Sequence, residues 1–337
     1  MAPSVEQTHG VLVLGEPLET QKEYAQLAKE FKFKKVDCKS REEAIAAVKA
    51  AALEGGYDAV LFPFGSQKGP INEELLGPLK GQLKFVTGIG AGYDTVDTKW
   101  LESVGAWYCN TPESVSDTTA TTAVTLILIC LRHATSLMAS TKAGQWRGNN
   151  VLTPDARGFV VGIIGMGTIG KLVRNKVQAL GMKVIYYNRN RLPASEEGGA
   201  TYVSWEELLA QSQLISVHCP LSPATFHLLG APEFEKMQDG VMIVNTARGA
   251  VIDEKALVEA LKSEKISRVG LDVFEEEPKI QPYLLECERA ALFPHFGSAT
   301  VRLHVDTELE GISNFRDWVA TGKPKNGVND PLGKSTL

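Results

Sequence analysis

Three ionisable side chains stand in a fixed order along the last third of this chain: Arg248 in VNTARG, Glu277 in DVFEEEP and His295 in FPHFG. A guanidinium grips a carboxylate and an adjacent carbonyl together, and an imidazolium donates a proton near neutral pH. A carboxylate bonded to the other ring nitrogen orients the imidazole and favours its charged form. That set suits delivery of a proton to a carbonyl reduced beside a carboxylate, that is, to a 2-oxo acid. Taken singly, each residue has a plainer reading: a surface ion pair, an exposed loop acid before Pro278, a structural histidine. Upstream of all three, FVVGIIGMGTIG carries Gly165, Gly167 and Gly170 after a β-branched run. Such a turn lets backbone approach a pyrophosphate and sets it at a helix N-terminus, so residues Gly165, Met166, Gly167, Thr168, Ile169 and Gly170 are candidates to hold a dinucleotide.

The position about twenty residues beyond the turn distinguishes the two nicotinamide dinucleotides. An acid there would accept from the ribose hydroxyls, but the chain reads Tyr187-Asn188-Arg189-Asn190-Arg191. Asn188 can donate to a phosphate, and Arg189 with Arg191 can neutralise it, so NADP(H) is preferred over NAD(H). Two solvated arginines on a loop are the plain alternative.

These residues need elements to carry them. The first segment alternates apolar runs (Val11 to Leu14, Ala59 to Phe62, Leu83 to Thr87) with helical patterns, of which Glu19 to Phe31 is the clearest. From Asp117 to about Lys142 no proline or glycine occurs and the stretch is apolar nearly all round, which predicts one buried connecting helix. Six further apolar runs follow, beginning near Phe159, Lys183, Leu214, Val241, Val269 and Ala291. Val301 to Thr321 is again helical and returns to the first domain, with Gly322 ending it. The fold class is therefore α/β: two doubly wound, Rossmann-like parallel-sheet domains with a cleft between them. Residues 1–116 with 302–337 form a discontinuous substrate domain, and 117–301 a dinucleotide-binding domain.

Composition excludes several function classes. A chain of 337 residues with 44% hydrophobic content fills two cores. Thirty-five basic against 40 acidic residues leave a net charge of -5, with no positive field to draw in nucleic acid or an anionic membrane. Cys38, Cys109, Cys130, Cys219 and Cys287 show neither metal-ligand spacing nor a disulfide pattern, so no metal is expected and a reducing, cytoplasmic setting is. The longest apolar run, near Ala123 to Leu131, reads as too short to span a bilayer.

With the glycine turn, NTARG, LDVFEEEP and PHFGSAT in this order over nearly its whole length, the chain resembles the D-isomer-specific 2-hydroxyacid dehydrogenases. Within them it is most similar to fungal D-mandelate dehydrogenase-type and glyoxylate/hydroxypyruvate reductase-type members. The resemblance implies that Arg248 binds the substrate, that His295 is the proton donor and that Glu277 is its partner. It implies that the main-chain amides of Ala91 and Gly92, in Gly88 to Asp94, hold the substrate carboxylate, and that Ser66 lines the substrate. Around the cofactor it implies Cys219, Pro220 and Thr225 near a ribose, Thr246 and Ala247 along the nicotinamide, Asp272 accepting from the carboxamide, and Gly297 beside it. It implies a homodimer in which Trp146 takes part. The resulting expectation is NADPH-dependent reduction of a 2-oxo acid to the D-2-hydroxy acid. A dinucleotide-sensing corepressor is the alternative, since such proteins share the fold and the three side chains.

Overall fold

The computed structural model describes residues 9–146 and 152–333, and the C-terminal Ser335-Thr336-Leu337 lies outside them. Two compact units divide the chain, one from residues through Val115 together with those from Thr300 onward, the other from Ser116 to Ala299.

The first unit runs β1 (Gly10–Leu14), α1 (Gln21–Glu30), β2 (Lys32–Val36), α2 (Arg41–Glu54), β3 (Ala59–Leu61), α3 (Glu73–Leu76), β4 (Phe85–Thr87), α4 (Thr98–Ser103) and β5 (Trp107–Cys109). Its five strands pair in parallel in the order β2-β1-β3-β4-β5. β1 is buried at all five positions, because a parallel sheet carries helices on both faces. Its period of two sends Leu12 and Leu14 into a core with Val48 and Ala51 of α2, and Val11 and Val13 into a core with Phe315 and Trp318 near the C-terminus. Strands β2 and β5 were not among the expected apolar runs. KFKKV is mostly lysine at the sheet edge, and WYC spans three residues.

Next come α5 (Pro112–Leu131) and α6 (Ala134–Lys142). The single buried helix expected over 117–142 is thus corrected: His133 enters the left-handed region at φ 52° and breaks it, and α6 buries none of its residues. α5 does bury Ala120, Ala123, Leu126 and Ile127 against the second sheet. As a whole helix it is long and apolar enough, by length and composition, to cross a membrane, which its apolar run alone did not suggest; half of that window is buried inside the protein.

The second unit continues β6 (Val160–Ile164), α7 (Thr168–Ala179), β7 (Lys183–Tyr187), α8 (Ala194–Glu197), β8 (Thr201–Tyr202), α9 (Trp205–Gln211), β9 (Leu214–Val217), α10 (Ala231–Lys236), β10 (Val241–Asn245), α11 (Glu254–Lys262), β11 (Ile266–Leu271), α12 (Pro282–Glu286) and β12 (Ala290–Leu292). The strands form one parallel sheet in the order β12-β11-β10-β9-β6-β7-β8. β8, a two-residue edge strand, is the one the sequence pattern did not contain. The order reverses between β6 and β9, the switch point at which open α/β sheets take their ligands. α13 (Leu303–Thr321) belongs to the first unit and ends at Gly322, whose φ of 75° fits a left-handed cap. Both units are therefore doubly wound α/β sheets.

Candidate active site

Arg248, Glu277 and His295 follow the carboxyl ends of β10, β11 and β12, three adjacent strands, and the glycine turn follows β6 in the same sheet. The sheet's topology therefore gathers them at one edge.

The Arg248 turn is shaped from within. Asn245, the last residue of β10 and almost fully buried, accepts the N–H of Ala247 (2.9 Å) and donates to the carbonyl of Arg248 (2.8 Å). The backbone of Arg248 is extended, and its Nη1 donates to the carbonyl of Ala247 at 2.8 Å. Gly249 then passes so close to the next loop that a Cβ there would lie 1.9 Å from the carbonyl carbon of Phe274. Absence of a side chain thus presses the arginine turn onto the loop that carries Glu277.

In that loop, Glu277 folds back so that Oε1 accepts the N–H of Phe274 at 3.0 Å, while Oε2 meets Nδ1 of His295 at 2.8 Å. Burial pushes the Glu277 carboxyl up, but the bonds from His295 and Phe274 and the positive charges of His295 and Arg248 outweigh it and hold the carboxyl below its ordinary value. His295 is raised, first by its bond to Glu277 and then by that carboxylate's charge, against burial and the charge of Arg248. With Nδ1 engaged, Nε2 remains to present a proton; the imidazole side chain is 48% exposed.

His295 sits at φ 54°, a conformation that costs a residue with a Cβ on the order of 1 kcal/mol or more. Asp272 holds it there. The His295 N–H donates to the Asp272 carbonyl (2.7 Å), and the carboxylate accepts from the N–H groups of Phe296 (2.7 Å) and Gly297 (2.8 Å). Each oxygen of Asp272, the expected acceptor for a carboxamide, already takes one N–H of this turn, and burial raises its pKa. Thr122 of α5 adds a bond to the carbonyl of Gly297 at 2.8 Å.

At the glycine turn, Gly165 takes φ 94° and a Cβ would meet the backbone nitrogen of Cys219 at 2.6 Å, while one on Gly170 would meet the carbonyl oxygen of Gly165 at 2.4 Å. A Cβ on Gly167, by contrast, would project into open space ahead of α7, whose N-terminus no side chain caps. An approaching phosphate would use that space and the exposed first-turn N–H groups. Thr246 Oγ1 is buried with no hydrogen-bond partner among the described residues, a polar atom that a bound group would satisfy. The residues present fit a dinucleotide.

Met166 is buried and its N–H donates to Asn188 Oδ1 at 2.6 Å, which leaves Nδ2 of Asn188 as a donor. Arg189 is exposed, and no described residue bonds it. Arg191, expected to face a phosphate, is already engaged: its Nε and Nη2 reach the two oxygens of Glu197 at 2.7 and 3.2 Å. Cys219 is buried, which pushes its thiol up to about 11, Pro220 is exposed, and Thr225 Oγ1 closes the local turn on the Pro220 carbonyl at 2.6 Å.

The remaining sequence candidates belong to other segments of the chain. In the first unit, Gly88 to Asp94 follows β4; Thr111 Oγ1 accepts the N–H of Gly90 (2.7 Å) and Asn110 donates to the Ala91 carbonyl (2.7 Å). No described residue accepts from the N–H of Ala91 or Gly92. Ser66 is buried and donates its hydroxyl to the carbonyl of Pro63 at 2.5 Å, closing its own turn. In the second unit, Trp146 follows α6 and is 85% exposed, which excludes core packing within the chain.

The family model for the D-isomer specific 2-hydroxyacid dehydrogenase NAD binding domain matches residues 124–297. The chain is 41% identical over 317 residues to 4-methyl-2-oxopentanoate reductase A of Aspergillus oryzae, covering 93% of this chain and 95% of that one. Among solved structures, a glyoxylate reductase from Paecilomyes thermophila superposes with a TM-score of 0.90 at 38% identity, covering 95% and 98% of the two chains. Rhodotorula graminis D-mandelate dehydrogenase in its holo form gives 0.88 at 29% identity, covering 95% and 97%. Matched by the family's own model across the sheet that bears the three side chains, and by relatives along nearly its full length, the chain belongs to the D-isomer-specific 2-hydroxyacid dehydrogenases.

Proposed function

We propose that this protein reduces a 2-oxo acid to the D-2-hydroxy acid with NADPH. The observation that carries the reading is the 2.8 Å bond between His295 and Glu277, which favours a protonated imidazole. The dinucleotide, when bound, supplies hydride. Arg248 holds the carboxylate and carbonyl of the substrate, and the amides of Ala91 and Gly92 take up the rest of the carboxylate's charge. His295 gives the proton on Nε2 to the developing alkoxide and is left neutral, while Glu277 keeps the ring in register throughout.

The preference for NADPH rests on Asn188, whose amide nitrogen is free to donate once Oδ1 holds Met166, and on the exposed Arg189. Arg191, paired with Glu197, contributes less than the sequence pattern suggested. The relative from Aspergillus oryzae is named for a branched oxo acid and that from Paecilomyes thermophila for glyoxylate, so the assay set spans both. A homodimer through the Trp146 region fits the exposure of Trp146, Met138 and Leu152. A cytoplasmic setting fits five unpaired cysteines.

The test is NADPH oxidation by the purified protein over glyoxylate, hydroxypyruvate, phenylpyruvate, phenylglyoxylate and 4-methyl-2-oxopentanoate, repeated with NADH. Turnover of one of them, faster with NADPH, is the expected result. Tight dinucleotide binding without turnover of any would replace the reductase by a sensor.

A further inference from the structure

Behind the loop that carries Glu277 lies a second set of ionisable groups that the proposed chemistry does not use. Glu254 opens α11 and is only 7% exposed. Its Oε2 accepts the N–H of Glu275 at 3.0 Å and its Oε1 the N–H of Gln281 at 3.4 Å, so one carboxylate grips the loop on both sides of Glu277. Glu275 returns the contact: its Oε2 accepts the N–H of Glu254 at 3.2 Å, and its Oε1 is bonded to His227 Nε2 at 2.8 Å. The N–H of His227 donates to the carbonyl of Ala250 at 2.9 Å, two residues past Arg248. One network thus reaches both the arginine turn and the glutamate loop.

Helix α11 does not require Glu254 as a cap, because Asp253 already accepts the N–H of Ala256 at 3.0 Å. Burial opposes its charge, and so do the neighbouring acids Glu275 and Glu276. A carboxylate kept there at such cost is bound to the loop's N–H groups rather than to the helix.

We infer that Glu254, backed by Glu275 and His227, is a positioning residue that fixes the loop on either side of Glu277 and so the direction in which Glu277 meets His295. The inference rests on the roles proposed for Glu277 and His295. Both oxygens of Glu254 accept, so Glu254→Gln satisfies one N–H and confronts the other with an NH2 group, without loss of volume.

The readout is the titration of the His295 ring by NMR in full-length, histidine-labelled protein, the signal being assigned by its loss in His295→Asn. Glu277→Gln lowers the midpoint and sets the scale. Glu254→Gln is expected to move it part of the way, with an unchanged dinucleotide Kd and kcat lower by about tenfold, short of the 10²–10⁴ typical of losing the proton donor itself. His227→Ala, at a less buried position, is expected to move it the same way by less, and stands in if Glu254→Gln does not fold. A midpoint unmoved in the folded variants while Glu277→Gln shifts it overturns the inference. A midpoint unmoved even by Glu277→Gln overturns both the inference and the role of Glu277. Shifts as expected in a protein that reduces no oxo acid sustain the inference and defeat only the proposed activity.

Discussion

An imidazole serves as an acid near neutral pH only when its charged form is favoured, and Glu277 gives His295 that bias. Replacing His295 with Ala should lower kcat by about 10²–10⁴ while leaving the Kd for NADPH within about twofold, as fluorescence titration would show; equal losses in both would remove His295 from the chemistry. The raised pKa also sets the pH profile. Reduction needs the imidazolium, so its rate should hold at low pH and fall as pH rises through the elevated His295 value, whereas oxidation of the hydroxy acid should rise through the same point. The linked stability has matching signs: the His295 share is full below the ordinary imidazole value and lost above the folded one, and the Glu277 share is full above the ordinary carboxylate value and lost as pH falls through its depressed one. At the adenosine end, Asn188→Asp with Arg189→Ala keeps an acceptor for the Met166 N–H and removes a cation. The ratio of kcat/KM for NADPH to that for NADH should fall by tenfold or more, taking about 1.4 kcal/mol per decade, and a ratio that stays put would locate the phosphate elsewhere.

At the scale of elements, two glycines separate packing from binding. Gly249→Ala must push the Phe274 carbonyl away, so thermal unfolding should show a loss of about 1–3 kcal/mol, with kcat falling because the Arg248 turn and the Glu277 loop part. Gly167→Ala meets nothing within 4 Å and should cost about 1 kcal/mol or less as a poorer cap, yet weaken dinucleotide binding clearly, since its methyl enters the space before α7. Strands with apolar runs buried at nearly every position, β1, β6, β9 and β10, were legible because both faces of a parallel sheet demand them. β2 and β8 were not, because an edge position relaxes the demand for apolar residues. The triad was legible as residue types in order, but not the supports beneath it. Asn245 and Glu254 read as a strand end and a helix start, and only tertiary contact reveals that their side chains tie loops together. Asp272, Ser66 and Thr225 show the converse: polar candidates whose side chains also serve the local turn.

For the molecule as a whole, α6 and the residues after it are the surface on which the proposed dimer rests. It buries none of its residues, and Met138, Trp146 and Leu152 are 58%, 85% and 96% exposed, an amount of apolar surface that a lone chain would leave in water. Trp146→Glu should shift sedimentation velocity from a dimer to a species near 36.6 kDa, the mass of one chain; a wild-type protein that already sediments as a monomer would refute this. The division of the chain at Val115/Ser116 and Ala299/Thr300 has a separate bearing on sequence change. His295, Glu277, Arg248 and the glycine turn are all encoded in one uninterrupted stretch. A change confined to the flanking stretches therefore reaches the Gly88 to Asp94 loop proposed to hold the acid, while the groups proposed to serve hydride and proton keep their sequence.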